Sequence, residues 1–593
     1  MNHADLPAIQ YTVWPADLHG HRYRIKLHIT NPNPNPDGQV LQAPAWIPGS
    51  YLIRDFSKQI ESIEAYSISG TRKKIALERI DNDHWRLPPT NSPIEVLTTV
   101  YAFDSSVRAA YLDTERAFFN ATSLCLAVQG QEHLPCSLAI TAPEIAFADH
   151  WTVQTTLRAV KIDGRGFGYY LAKNYDDLLD HPVAMGEFQV VHWKSNGVAH
   201  RMAIQGCNHI VDAKRLSEDL QAICTSTINL FEPKSKQAPF EEYLFLVNAV
   251  LNGYGGLEHR NSTALLCRRD QIPQENILFE ESAYREFLGL CSHEYFHAWL
   301  VKRIQPTAFQ PYDLSKRNHT RLLWVFEGFT SYYDDLQLLR SKRIDLKTYL
   351  RLVEDNWNGI LRGPGRHKQS LADSSFDAWT KYYQADENTP NAVVSYYGKG
   401  ALLALGLDLQ IRAFSKNKRS LDDLMRLLWR KHGSEGIAED GLDDLIFELL
   451  GTGFSKTWNE IKSRYIFGVE DIPLQKWIES KLISVKAKSL STLEKIKLRF
   501  GIRHTDANGW LKVTHVLDGG VAQAAGLAAG DLLASIDGQR ITSARWDRVL
   551  GSLSENPHTR ITFYRDDLEY ERMVSLQSAL IPAQYELTPK KDT

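Results

Sequence analysis

The spacing of hydrophobic residues changes several times along this chain, and no other feature of the sequence constrains the fold as much. Over the first 175 or so residues the spacing is alternate: Tyr23, Ile25, Leu27 and Ile29 in YRIKLHI, then Ile94, Val96, Thr98 and Val100 in IEVLTTV. That is the period of a half-buried antiparallel sheet. Turn clusters at NPNPNPDG (31–38), IPGS (47–50) and LPPTNSP (87–93) separate the strands. From about residue 210 helical spacing takes over in VDAKRLSEDLQAICTSTINLF, SAYREFLGLCSHEYFHAWLVKRI and HTRLLWVFEGFTSYYDDLQLLRS, with strand-like EEYLFLVNAVLNGYGGLEHRNSTALLC between the first two. ALLALGLDLQIRAF, SLDDLMRLLWRKH and DGLDDLIFELL continue as helices. The stretch ANGWLKVTHVLDGGVAQAAGLAAGDLLASIDGQRI then returns to short strands with glycine turns.

A chain of 593 residues is too long for one compact core. The pattern predicts a multidomain α+β protein: an N-terminal β-sandwich-like domain (1–175), a domain of a few strands beside long helices (176–410), a helical segment (411–487) and a small β-rich module (488–580). Lys and Arg total 68 against 71 Asp and Glu, so there is no basic field for nucleic acid or an anionic membrane. Six cysteines without a C-x-x-C pair suit reduced thiols and a reducing compartment. The opening MNHADLPAIQYTVWP lacks a basic-then-apolar leader, and no apolar run reaches the roughly 20 residues of a membrane span. These features predict a soluble, cytoplasmic protein; removal of a signal peptide would leave the same sequence.

The chemistry starts at HEYFH (293–297), an H-E-x-x-H match whose two histidines share one helical face. Cys291, two residues before His293, points to another side of that helix. A catalytic zinc takes three protein ligands and keeps one position open, so a third ligand is needed. Glu327 is the best candidate, because its neighbours Leu323, Trp324, Val325 and Phe326 are apolar and a buried carboxylate needs a partner or a metal.

HEYFHAW followed by WVFEGFTSYYDD resembles the zinc peptidases in which two histidines and a downstream glutamate hold the metal, as in thermolysin and the aminopeptidase N superfamily. GGLEHRNST (255–263) stands in the place of that superfamily's G-x-M-E-N motif, and SYYGKG (395–400) resembles its Y-E-K-G segment. With WIPGSYLIRDF (46–56) and the C-terminal module, the whole chain is similar to the glycyl aminopeptidase family of PDZ-containing zinc metallopeptidases. The resemblance implies a thermolysin-like catalytic domain and one Zn²⁺ per chain on His293, His297 and Glu327. It also implies Glu294 as general base, Tyr397 (or the adjacent Tyr396) as oxyanion donor, and Gly255, Gly256 and Glu258 as substrate-binding residues, with Glu258 meeting the substrate's free ammonium. Leu257 and His259 replace the Met and Asn of the related motif. Asp334 is a candidate orienting partner for a zinc histidine. WIPGSYLIRDF itself reads as a tight turn in which Pro48 and Gly49 supply the backbone geometry.

LDGGVAQAAGLAAGDLLASIDGQRI (517–541) is similar to PDZ domains, which take an extended peptide as an added strand. The matching carboxylate loop is RFGI (499–502), with Arg499 where glycine is common, so the module reads equally as a peptide binder or as a packing or dimerising module that takes no free tail. The expected function is a zinc-dependent aminopeptidase acting on peptides with small N-terminal residues, Gly or Ala. The alternatives are an endopeptidase guided by the PDZ-like domain and a non-catalytic scaffold that binds peptide C-termini.

Overall fold

Alternation along the first strands builds the N-terminal sheet. Arg22–Ile29 buries Tyr23, Ile25, Leu27 and Ile29, and Ile94–Tyr101 buries Ile94, Val96, Thr98 and Val100. The antiparallel register sets Tyr23 opposite Val100, Ile25 opposite Thr98 and Leu27 opposite Val96, so one face of both strands enters one core. A computed structural model describes residues 6–33, 37–145, 148–277, 281–479, 483–553, 558–577 and 579–590. Part of the NPNPNPDG turn, residues 34–36, lies outside them.

By internal contacts the chain forms two compact units, Met1–Asn318 with Arg426–Ala438 and His319–Met425 with Glu439–Thr593. In the first unit the two strands above belong to an eight-stranded sheet, whose order runs Arg158–Ile162, Gly168–Ala172, Cys136–Ile140, Ile9–Asp17, Arg22–Ile29, Ile94–Tyr101, Ile60–Ser69, Thr71–Ile75. Two four-stranded sheets share its apolar core, contributing Leu41, Trp85 and Leu87 from one and Leu112, Phe119, Val183 and Met185 from the other. Each such side chain, taken fully from water, contributes about 1.5–3 kcal/mol. Tyr11 and Tyr175 bury their rings there and donate their hydroxyls to the carbonyls of Leu126 (2.7 Å) and Cys125 (2.6 Å), so neither polar tip is left unpaired.

A five-stranded sheet follows, in the order Gln189–Ser195, Val198–Gln205, Glu242–Val250, Ser262–Arg268, Gly255–Glu258. The middle pairings are parallel and the outer ones antiparallel, which leaves Gly255–Glu258 as an edge strand. Helix Ala213–Phe231, capped by the Asp212 carboxylate on the Arg215 amide, and helix Glu281–Phe296 complete this layer. The second helix was expected to continue to about residue 304; it stops at Phe296 instead. Val301 takes φ 89°, a left-handed conformation rare for a β-branched residue, and turns the chain so that its amide meets the Ile304 carbonyl. The apolar run AWLV therefore fills the core as a turn: Phe231 stacks on Trp299 with ring centroids 5.1 Å apart.

The second unit is helical, then β-rich. Gly328–Arg340, Leu346–Arg362 and Gly398–Ser415 are its longest helices lying wholly within it. In the C-terminal module a six-stranded sheet runs Ile502–Ala507, Trp510–Val516, Leu532–Ile536, Thr559–Arg565, Leu568–Val574, with Gln539–Arg540 also paired to Leu532–Ile536, around a core that includes Phe500, Val513, Leu533, Leu550 and Phe563. The multidomain α+β class expected from the sequence is the class observed. One detail departs from expectation: helix Thr492–Phe500, capped by Ser491 and Glu494, takes in Arg499 and Phe500, so half of RFGI belongs to a helix rather than a free loop. The module is fastened within its unit by Asn391, whose side chain donates to the Val516 carbonyl and accepts from the Asp518 amide, both at 2.8 Å. Among the described residues no helix is long and apolar enough to cross a membrane.

Candidate active site

Helix Glu281–Phe296 carries His293 and Glu294, and His297 is the first residue beyond it. The two imidazoles meet edge-on, with their Nε2 atoms 3.1 Å apart. His297 is 2% exposed, and its Nδ1 lies 2.9 Å from the Leu300 carbonyl. A carbonyl only accepts, so Nδ1 carries the proton and Nε2 presents its lone pair toward His293. Two such nitrogens facing each other repel unless a proton or a cation lies between them. Nitrogens each about 2.0–2.1 Å from a tetrahedral zinc are about 3.3–3.4 Å apart, so the pair fits that ion closely. The orienting partner of His297 is thus a main-chain group supplied by the turn after the helix, which no side-chain motif marks.

The edge strand Gly255–Glu258 lies against Glu294. A Cβ on Gly256 would fall 2.2 Å from the Glu294 carboxylate, so only glycine fits beside that side chain. Arg108 holds the strand from outside by donating to the Gly256 carbonyl (2.9 Å), and Gly255 takes φ 144° with the Arg108 guanidinium 3.8 Å from where its Cβ would be. Glu258 is 4% exposed and its Oε1 has no hydrogen-bond partner among the described residues. One ligand-type atom each from Glu258, Glu294 and His297 lies within 4.8 Å of the others.

Behind Glu258 sits a buried ionic cluster. Asp180 is ion-paired with Lys302 Nζ (2.7 Å) and accepts from the Arg260 amide (2.9 Å), with His259 Nδ1 at 3.5 Å. Burial works to raise the Asp180 carboxyl, but the Lys302 and Arg260 charges outweigh it and hold it well below the usual carboxylate range. Burial pushes His259 down, against the pull of Asp180. The turn at Val301 that ends the helix also delivers Lys302 to this cluster. Removing that lysine leaves a buried carboxylate without its closest cation, and we expect Lys302→Met to destabilise the protein by about 3–5 kcal/mol at neutral pH. The Asp180 pKa is depressed in the fold, so its stabilisation is present above the unfolded value of about 3.9 and is lost as pH falls through the folded one. The deficit of Lys302→Met should therefore shrink below pH 4. Denaturant unfolding followed by tryptophan fluorescence at both pH values checks this; an equal deficit at both would contradict it.

In the second unit Glu327 is 2% exposed at the junction of helices Leu323–Phe326 and Gly328–Arg340, which the sequence read as one. A Cβ on Gly328 would lie 2.6 Å from the Gly400 Cα, so two glycines let the start of one helix cross the start of Gly398–Ser415 in direct backbone contact. That crossing explains the glycine following Glu327 and the last glycine of SYYGKG. Burial, then the Glu327 charge, raise the Tyr397 hydroxyl well above its ordinary value, so it remains a proton donor. Tyr397 is half-buried and shares a hydrogen bond with the Tyr383 hydroxyl at 3.0 Å. Tyr396 is fully buried, its ring against Tyr382 and Tyr397. Asp334 accepts the Asp335 amide at 2.6 Å. Cys291 is buried, which pushes its thiol well up and keeps it neutral, the opposite of a ligand thiolate. Sequence reasoning missed Arg108, Tyr383 and the Asp180–Lys302 pair; none lies within a motif.

Comparison with known proteins follows the same order along the chain. The Peptidase M61 N-terminal domain matches residues 10–187, M61 glycyl aminopeptidase residues 286–403 and a PDZ domain residues 490–557. Among solved structures, an aminopeptidase N family protein from Idiomarina loihiensis is 38% identical with a TM-score of 0.91, and the match covers 98% of each chain. An M1 zinc metallopeptidase from Deinococcus radiodurans is 11% identical with a TM-score of 0.48, over 79% of this chain and 95% of that one. No curated protein sequence matches. With a relative of this identity along nearly its whole length, and the N-terminal and catalytic parts of one peptidase family in sequence, the chain belongs to the M61 glycyl aminopeptidase family and is a peptidase that carries a PDZ domain.

Proposed function

We propose that this protein is a zinc aminopeptidase that removes single N-terminal residues, Gly or Ala foremost, with His293, His297 and Glu327 as the ligands of one zinc per chain. The observation that carries the reading is the buried Glu258 carboxylate, with one oxygen lacking a hydrogen-bond partner among the described residues, beside Glu294 and His297. A buried, unsatisfied anion on an edge strand is costly unless a cation reaches it, and a peptide's free α-ammonium is such a cation. The unpaired edge of Gly255–Glu258 supports binding of the substrate as an extended strand.

His293, His297 and Glu327 would hold the zinc, which would supply Lewis acidity to a peptide carbonyl and to water. Glu294, 5% exposed and hemmed in by Gly256, takes the proton of the attacking water and returns it to the leaving amine. Tyr397, kept protonated by burial, donates to the oxyanion, with Tyr383 orienting its hydroxyl. Glu258 holds the ammonium and so sets the cut one residue from the N-terminus. At the PDZ domain the edge strand Ile502–Ala507 supports capture of a second peptide segment by strand addition.

Glu258→Ala tests the anchor. Hydrolysis of unblocked peptides should fall by roughly 10²-fold, the scale of a lost charge-assisted contact of about 3 kcal/mol, while zinc content stays at one per chain. An undiminished rate would transfer the reading to an endopeptidase.

A further inference from the structure

The Ile47–Ser50 turn has a consequence beyond its backbone geometry. Pro48 and Gly49 are its two central residues, Gly49 takes φ 93°, and the Ser50 amide closes the turn on the Ile47 carbonyl at 3.0 Å. Gly49 faces the carboxylate of Glu258: a Cβ there would stand 2.6 and 2.7 Å from the two oxygens and 2.8 Å from Cδ. We infer that Gly49 is a positioning residue for the amine anchor, so that this turn of the N-terminal domain sets how far the Glu258 carboxylate reaches toward Glu294 and His297.

Neither side of the contact can retreat easily. Arg54 donates to the Ser50 hydroxyl at 2.9 Å, and its amide binds the Ala45 carbonyl at 2.8 Å. Tyr51 is buried in a stack on Phe309, and the Trp46 indole donates to the Asp313 carbonyl at 2.8 Å. On the other side, Leu257 is fully buried and its carbonyl accepts the Thr263 hydroxyl at 3.0 Å, while the His259 amide closes the hairpin on the Ser262 carbonyl. Glu258 is thus fixed at its backbone, and added volume at position 49 displaces the carboxylate in the direction that remains, toward the catalytic groups. A glycine here is required twice, for its positive φ and for the space its missing side chain leaves to an anion.

This inference rests on the amine-anchor reading of Glu258, and a double-mutant cycle separates the two. For Gly49→Ala we expect kcat/KM on an unblocked dipeptide to fall at least tenfold, mainly through KM, with zinc content unchanged. In a Glu258→Ala background the same substitution should cost less than twofold. Glu258→Asp, whose carboxylate is one methylene shorter, should recover at least fivefold when combined with Gly49→Ala. If Gly49→Ala alone does not fold, folding of the Glu258→Asp double variant supports the contact, and failure of both overturns it. An equal loss from Gly49→Ala with and without Glu258 also overturns it. Should Glu258→Ala itself leave kcat/KM unchanged, the anchor reading fails and this inference with it; a costly Glu258→Ala beside a neutral Gly49→Ala sinks the inference alone.

Discussion

Glu294→Gln should keep its zinc and lose roughly 10²- to 10⁴-fold in kcat on an unblocked peptide, the range a positioned general base contributes. Glutamine preserves the volume that the Gly256 backbone leaves for this side chain, where a Cβ would already collide at 2.2 Å, so packing on both sides is retained. What changes is proton affinity: an amide cannot take a proton from water at neutral pH. Because Glu294 is not among the proposed ligands, zinc stoichiometry by atomic spectroscopy should match wild type. A variant with full activity would remove Glu294 from the mechanism. One that lost its zinc as well would make Glu294 a contributor to the metal site.

Glu327→Ala acts on the metal itself. The carboxylate is 2% exposed at a helix junction, with no solvent to stabilise its charge, and it is the ligand proposed to join the imidazoles of His293 and His297. Loss of an orienting partner typically lowers zinc affinity by about 10–100-fold, and loss of a direct ligand should exceed that. Dialysis against a weak chelator should strip this variant under conditions where wild type stays loaded, with peptidase activity falling in step. Retention of one zinc per chain would take Glu327 out of the ligand set.

The parts of the fold and site that are local in sequence were legible there. Two histidines at i and i+4 declare a shared face by their spacing alone, and alternation in YRIKLHI and IEVLTTV declares the sheet faces that Tyr23, Ile25 and Val96 occupy. The Pro48–Gly49 turn was legible for the same reason. What the turn touches was not, because Glu258 is brought to it by strands far apart in the chain. The end of the helix that carries His293 and Glu294 was hidden as well. AWLV continues an apolar helical pattern, and only tertiary packing of Trp299 and the Val301 backbone breaks it. Asp180 and Lys302 read individually as ordinary charged residues, and pairing in the interior is what gives them weight. Spacing alone leaves Tyr396 and Tyr397 equivalent; burial separates them, Tyr396 fully buried and Tyr397 only half-buried, with its hydroxyl on that of Tyr383.

One digest tests the central claim most directly. The zinc-loaded protein is incubated with a peptide library supplied in two forms, with free and with acetylated N-termini, and products are read by mass spectrometry over time. Stepwise loss of single N-terminal residues from the free form, Gly and Ala fastest, with the acetylated form intact, is the result predicted by a buried anionic anchor at Glu258. Internal cleavage of both forms at equal rates would contradict it.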